Sequence, residues 1–448
     1  MTVIVTEQPP HLRAVLRLSY GALSKEDART FRLLGIQPCR TLGPEAIAAL
    51  TGADLVQTRA TLETLRAYHL IETTPDGRVE LHNVLHSYAA DRAMIEDDPG
   101  ELDTARRQLL AWYAETVAAV GDLIAPGWAG PALAPDRDTR DLPGFAVLNP
   151  LSWVDIELAS VFALTRSAAQ HGDEDGWKLA VHCLPYFYLH KQWRAYLELF
   201  ELGTEIARKA DDPLAIARSL HGLGWTLHEL RRDRDALVLL REAMRLQQEI
   251  GHDGWGRAWT GHAMGESLSA QGQHDEALLV LAGPLRHFKA VGWPFGTAIV
   301  LASTAATLDR MGRADDALNV AVEALNQSYR TNVFTLQSLI HRDLGLLHLR
   351  KEAAARALIH FNEARELRAR SVERWGEAES QLHCGVALRA LGLEAEARDA
   401  FAAARSIFAD LHDDEAVAEV ESIADSVESF LNSTGDTSFP LITRVQFS

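Results

Sequence analysis

GLGWTLHELRRDRDAL from Gly222, AMGESLSAQGQHDEAL from Ala263, STAATLDRMGRADDAL from Ser303 and DLGLLHLRKEAAARAL from Asp343 align without gaps, and HCGVALRALGLEAEAR from His383 continues the series. A small residue recurs at the third place, as Gly224, Gly265, Ala305, Gly345 and Gly385. An alanine recurs twelve residues later, as Ala236, Ala277, Ala317, Ala357 and Ala397, and each series advances by 41, 40, 40 and 40 residues. Two helices joined by a short turn approach closely only where side chains are small, so this spacing predicts a stack of antiparallel helical hairpins. A further alanine lies seven residues on, as Ala243, Ala324, Ala364 and Ala404, two helical turns away on the same face. Pro284 holds that place in the third hairpin and predicts a kink or break, because proline removes a helix hydrogen bond.

Glycines 272, 312 and 392 stand where the first helix of a hairpin should end, and Trp255, Phe295, Phe334 and Trp375 open successive hairpins. Together these features resemble the tetratricopeptide repeat in a long form of about forty residues. The resemblance implies an array over 174–413, about six repeats wound as a right-handed superhelix. A divergent first hairpin runs from Trp177 to Asp212, with Cys183 and Ala195 at its small places. An amphipathic pattern over 414–431 suits a helix capping the last hairpin, and 432–448 reads as a tail.

The front of the chain is organised differently. After a flexible arm (1–10), residues 11–96 read as four helices, then the short strands IETT and RVELH around a PDG turn, then a helix from Asn83. Ser24 can cap the second helix, and Pro44 opens the third where proline is tolerated. Helices followed by a hairpin is the order of a winged-helix domain. The predicted class is therefore all-α: an N-terminal winged helix with a small β-hairpin wing, then the repeat array. Residues 97–173 form a helical bridge with a loop at 125–150.

The run LRLSYGALSKEDARTFRLLGIQP with LETLRAYHLIE and LHNVLHSYA is similar to the winged helix that follows the nucleotide-binding module of STAND-class signalling ATPases. By pattern the whole chain resembles actinobacterial regulators of the antibiotic-regulatory-protein type. In those, helical segments like RRQLLAWYAETVAAV (from Arg106) and LSWVDIELASVFAL (from Leu151) lead into tetratricopeptide repeats. The chain contains no GxxxxGK[ST] loop and no Gly-Lys pair, so a phosphate cradle of that kind is absent. It reads as the back half of such a regulator, either free-standing or truncated, with a nucleotide-binding STAND module in trans as one candidate partner. The family's nucleotide-sensing histidine corresponds to His82, but the acidic residue that follows it in the family is Asn83 here. A capping role for His82 is the simpler expectation.

A formal charge of -18 argues against a general nucleic-acid binder. Residues 11–96 carry ten Lys/Arg and ten Asp/Glu, so the winged helix is neutral. Its candidate DNA contacts are Arg59 and Arg66 on the would-be recognition helix and Arg78 in the wing. All three stand among acids, and DNA binding is not favoured. His82 and His86 share no HExxH glutamate, and Cys39, Cys183 and Cys384 belong to no CxxC pair, so no metal site or cofactor is expected. No nucleophile motif or dinucleotide fingerprint is present, which points away from an enzyme. With no signal-peptide pattern and no apolar run of membrane-spanning length, the expected setting is the cytoplasm, without membrane contact.

The first helix of each tetratricopeptide hairpin lines the concave face. Counting from the aligned small residue places Arg218, His221, Trp225, His228, Trp259, His262, Glu266, Asp309 and Arg342 in that groove. Tryptophan and arginine suit a binding hot spot. The leading expectation is a non-enzymatic regulatory protein whose repeats bind a partner protein or peptide. Its winged helix would relay that state, through a hinge near Pro126 to Pro150, to transcriptional or NTPase machinery. A DNA-binding transcriptional regulator with a repeat sensor and a cytoplasmic peptide receptor are the two alternatives.

Overall fold

The computed structural model describes residues 10–134, 142–190, 193–371 and 373–425. The expected arm before Pro10, the tail from 432 and the capping helix beyond 425 lie outside these residues. Among the described residues, contacts group 10–129, 133–183 and 205–210 into one compact unit and 130–132, 184–204 and 211–425 into another.

The first unit starts with α1 (Pro10–Gly21) and α2 (Lys25–Ile36), then β1 (Thr41–Leu42), α3 (Pro44–Thr51), α4 (Leu55–Ala67), β2 (Glu72–Thr73), β3 (Val79–Glu80) and α5 (Asn83–Glu96). Local chemistry sets the boundaries. The Ser24 hydroxyl accepts from the Asp27 N–H at 3.1 Å and the Asp54 carboxylate from the Gln57 N–H at 2.8 Å, each opening a helix. α3 begins on proline and ends where Gly52 turns to φ 71°. Helices α2 and α5 cross so closely that a Cβ on Gly35 would lie 2.4 Å from the Ala90 nitrogen. The strands form an antiparallel sheet in the order β1-β3-β2. Two strands are expected from the sequence; β1 is the addition, and two residues are too short to show an alternating pattern.

α6 (Pro99–Ile124), α7 (Gly144–Leu148), α8 (Pro150–His171) and α9 (Trp177–His182) complete the unit. The sheet is locked to them by one arginine. Arg78, 7 % exposed, forms a bidentate ion pair with Glu157 of α8, donates from Nε to Thr41 Oγ1 at 3.0 Å and from Nη2 to the Thr41 carbonyl at 2.9 Å. Tyr113 of α6 donates its hydroxyl to Glu157 Oε2 at 2.7 Å. This corrects the expectation that Arg78 could reach DNA: its guanidinium is consumed inside the unit.

The second unit contains α10 (Leu184–His190) and most of α11 (Trp193–Ala210), then α12 (Pro213–Glu229), α13 (Asp233–Ile250), α14 (Gly254–Ala270), α15 (His274–Ala290), α16 (Pro294–Arg310), α17 (Ala314–Ser328), α18 (Phe334–Arg350), α19 (Ala354–Arg370), α20 (Arg374–Ala390), α21 (Glu394–Asp410) and α22 (Asp414–Asp425). The five aligned segments are thus five helical hairpins. Each small residue receives a knob from the second helix sixteen positions later. A Cβ on Gly224 would lie 2.7 Å from Leu240, on Gly265 2.6 Å from Leu281, on Gly345 2.4 Å from Phe361 and on Gly385 2.6 Å from Phe401. The fourth hairpin alone has two alanines, Ala305 and Ala321.

The break expected at Pro284 does not occur, since α15 runs unbroken from His274 to Ala290. Gly261 of α14 faces the ring, and a Cβ there would stand at ordinary contact distance, 3.4 Å, from Pro284 Cδ. Packing along both turns carries the helix through one missing hydrogen bond. At the other end Ala416, Val420 and Ile423 of α22 join the core formed with Phe401 and Phe408.

The turn within each hairpin needs a left-handed residue. Gly272, Gly312 and Gly392 supply φ of 79°, 75° and 77°, while Arg231 and Glu352 occupy the same place at 61° and 57°. A side chain in that region costs about 1–2 kcal/mol. Two stability measurements follow. Exposed Glu352→Gly should raise stability by about 0.5–1 kcal/mol in urea denaturation, after the entropy cost of glycine; no gain would mean the turn relaxes elsewhere. Arg78→Ala should cost about 3–5 kcal/mol by leaving Glu157 buried and unpaired, whereas the paired change Arg78→Met with Glu157→Leu should cost far less. Equal losses would remove the charge pair as the source.

A candidate binding groove on the repeat array

The first helices of the second to fifth hairpins, with Tyr188 of α10, enclose a cavity of about 200 Å³. Part of its lining is apolar, from Ile299, Ala302 and Ala306 of α16 and Leu336, Leu339 and Leu346 of α18. The rest is polar. His228 Nδ1 sits 2.5 Å from Asp233 Oδ1, and its Nε2 3.9 Å from Glu266 Oε2. Arg310 donates to Ser269 Oγ at 2.8 Å, and Arg342 to Asp343 Oδ1 at 2.8 Å with Glu379 at 3.5 Å. Arg350 pairs with Asp309.

Five of the nine groove residues expected from sequence come together here: Trp225, His228, His262, Glu266 and Arg342. Trp225 and His262 stack at 5.3 Å with planes 20° apart, and Tyr188 lies 5.6 Å from Trp225. His262 Nε2 is 2.9 Å from Ser303 Oγ. Burial holds His262 neutral, bringing its pKa down to about 4. Burial also opposes ionisation of Glu266, but His262, His228, Arg310 and Ser303 outweigh it and keep the carboxyl below its ordinary range. Trp225 Nε1 and His262 Nδ1 are buried polar atoms without a hydrogen-bond partner. Buried donors left open are expensive in a folded protein, and a ligand group is one way to satisfy them.

The other four lie elsewhere. Arg218 is 4 % exposed and donates to Asp253 Oδ1 at 2.7 Å, bracing the start of α14. His221 is buried beside it, its pKa driven down to about 3 by burial, then by Arg218 and His262. Trp259, 3 % exposed, packs with its ring 5.3 Å from Phe288 and 5.7 Å from Trp293. Asp309 is spent on Arg350; burial raises its pKa despite that arginine.

The cavity draws on only the second half of α12, through Trp225, His228 and Glu229, but on the whole length of α18, from Leu336 to Arg350. Stacked hairpins are rotated stepwise, so equal register is not equal depth in the groove. Tyr188, Arg310, Arg350 and Ala321 also line the cavity and were not among the expected residues. Only Ala321 carried a signal, as the small residue breaking the knob series.

In the first unit, the expected DNA or nucleotide residues are engaged locally. Arg59 pairs with Glu45 at 3.3 Å, Arg66 with Glu63, and His82 Nε2 lies 3.0 Å from Glu72 Oε1 at the start of α5.

No family model matches the chain. In sequence it is similar to the regulatory protein AfsR of Streptomyces griseus, 24 % identical over 443 residues, covering 91 % of this chain and 45 % of that protein. It is also similar to AfsR of Streptomyces coelicolor, 30 % identical over 165 residues, covering 35 % of this chain and 16 % of the relative. The chain thus spans less than half the length of the curated relatives it matches. A solved STAND protein with a tetratricopeptide repeat sensor from Pyrococcus horikoshii aligns with a TM-score of 0.47 at 13 % identity, over 96 % of this chain and 68 % of that one. Along most of its length, then, the chain is homologous to regulatory proteins of the AfsR type.

Proposed function

We propose that this is a non-enzymatic, cytoplasmic regulatory protein whose repeat array holds a short segment of a partner protein or a free peptide. The first unit is read as a winged helix that passes the bound state to transcriptional or NTPase machinery, a nucleotide-binding STAND module in trans being one such partner. The observation that carries the reading is the cavity itself, whose lining joins apolar side chains with ion-paired groups and with Trp225, whose buried Nε1 has no hydrogen-bond partner. Apolar walls with a few placed polar groups bind and orient a small segment. Similarity to AfsR regulatory proteins supports the regulatory setting. Among the described residues no helix is long and apolar enough to cross a membrane.

The charge arrangement weighs against direct DNA reading. Arg78 is buried, and Arg59 and Arg66 each have a carboxylate partner. A DNA-reading surface needs cations free to displace counterions.

The test presents the purified chain with a synthetic pool of random hexapeptides and, separately, with duplex DNA at rising salt. Peptide retention is expected. Ala306→Arg, which projects a long side chain into the cavity from a half-buried position, should weaken it about tenfold or more while leaving the melting temperature nearly unchanged. Tight DNA binding with a steep salt dependence, and no peptide retained, would overturn the proposal in favour of a DNA-binding regulator.

A further inference from the structure

We infer that the groove carries a specificity notch at Ala305 and Ala321 that admits one bulky aliphatic or aromatic side chain of a bound peptide. The inference rests on the peptide reading above and adds what the peptide must contain.

The knob positions in the second helices run Leu240, Leu281, Ala321, Phe361, Phe401. A second position, seven residues or two turns further along, runs Gln247, Phe288, Ser328, Arg368, Phe408. The fourth hairpin is undersized at both. The buried residues of α17 are Ala317, Ala321, Ala324 and Ser328, whereas α13, α15, α19 and α21 each bury at least one leucine or phenylalanine. Replacing the Gly/Leu pair by Ala305/Ala321 leaves two fewer side-chain carbons at this crossing, and five fewer than a Gly/Phe pair. The consequence is visible in the cavity. Ala305 and Ala321 both line it, and Ala321 is the one described second-helix residue that does. At the other hairpins the knob closes the gap between the two helices; here the groove extends through it.

The surroundings define the occupant. Ala302, Ala305, Ala306, Ala321 and Ile340 line the cavity around this crossing, and the Ser303 hydroxyl among them is already engaged with His262 Nε2, so the notch takes a hydrocarbon. The cavity as a whole, about 200 Å³, exceeds the about 150 Å³ of apolar space that suffices for benzene, so it has room for one side chain of leucine, isoleucine, methionine or phenylalanine against Ala305 and Ala321. Trp225 and His262 line the same cavity, and Trp225 Nε1 and His262 Nδ1 are buried without a hydrogen-bond partner, so a polar backbone group seated there would find a donor once the rings shift. The rim cations are neutralised by Asp309, Asp343, Glu379 and Glu266, so the ligand needs no compensating charge at the notch.

Ala305→Gly with Ala321→Leu reproduces the Gly265/Leu281 crossing and should fold at least as stably as the unmodified chain. Toluene serves as the first probe, followed through the alanine methyl signals of Ala302 and Ala306 in methyl-labelled protein. A saturable shift is expected in the unmodified chain and none in the double variant. The random hexapeptide pool is the second probe. The unmodified chain should enrich Leu, Ile, Met or Phe at one peptide position, and the double variant should lose that enrichment and about tenfold in affinity. Should the double variant fail to fold, Ala321→Val, which fills part of the notch, should show an intermediate loss. No toluene shift in the unmodified chain, or a shift that survives in the variants, overturns the notch. Peptide retention without an apolar preference overturns the inference but leaves the peptide reading standing. Toluene entry with no peptide retained overturns the peptide reading, and with it the ligand class proposed here.

Discussion

The array depends on one steric constraint: a first helix without a side chain at one point, and a second helix whose large residue fills the space. Gly224, Gly265, Gly345 and Gly385 cannot carry even a methyl group without meeting Leu240, Leu281, Phe361 and Phe401. This crossing sets the distance between the helices of each hairpin and hence the pitch on which the next one stacks. It also explains where the groove can deepen. Only where the pair becomes Ala305 and Ala321 is there room behind the first helix, and the cavity reaches the second helix there.

The first unit is organised by charge in place of steric fit. Arg78 ties the sheet to α8 through Glu157 and to the β1 backbone through Thr41, and Tyr113 adds α6 to the same carboxylate. Burial alone would lower the arginine's pKa, but Glu157 more than offsets it and holds Arg78 firmly protonated. Such a network specifies one arrangement of sheet and helices, since breaking any member strands a buried charge. A second clamp works the same way at α5, where Arg32 donates to Asp97 at 2.6 Å and to the Tyr20 hydroxyl at 2.7 Å. Basic residues that in another setting would face phosphate are here internal fasteners.

The groove and the core draw on the same residue types, and burial separates them. Arg218 and Arg342 occupy related places in their helices, yet Arg218 closes on Asp253 while Arg342 edges the cavity. Trp225 and Trp259 show the same division: one carries an open N–H at the cavity, the other is packed among Phe288 and Trp293. Neutral histidines accompany both. Burial keeps His221, His262 and His383 uncharged, so the inner face is less basic than its composition implies.

The helical hairpins and their turn glycines were legible in the sequence because they follow from small residues at a fixed spacing repeated five times, and in the first unit the cap at Ser24 and the proline opening α3 were legible as local chemistry. The continuity of α15 through Pro284 was not, because residue type alone argues for a break while the helix, packed on its neighbours, runs through. Nor was the left-handed turn at Arg231 and Glu352, where the packing of the hairpin imposes a backbone the residue type does not favour. The sequence by itself determined the period and the small residues of each hairpin, since that spacing repeats along the chain; that each glycine meets the large residue sixteen positions on, and not the side chain of the alanine at twelve, came from the packing. Only the tertiary structure decided which of them reach the groove, because the stepwise rotation between hairpins moves equivalent positions to different depths, and which charges are spent, because the partners of Arg78, Arg218 and Asp309 lie 79, 35 and 41 residues away.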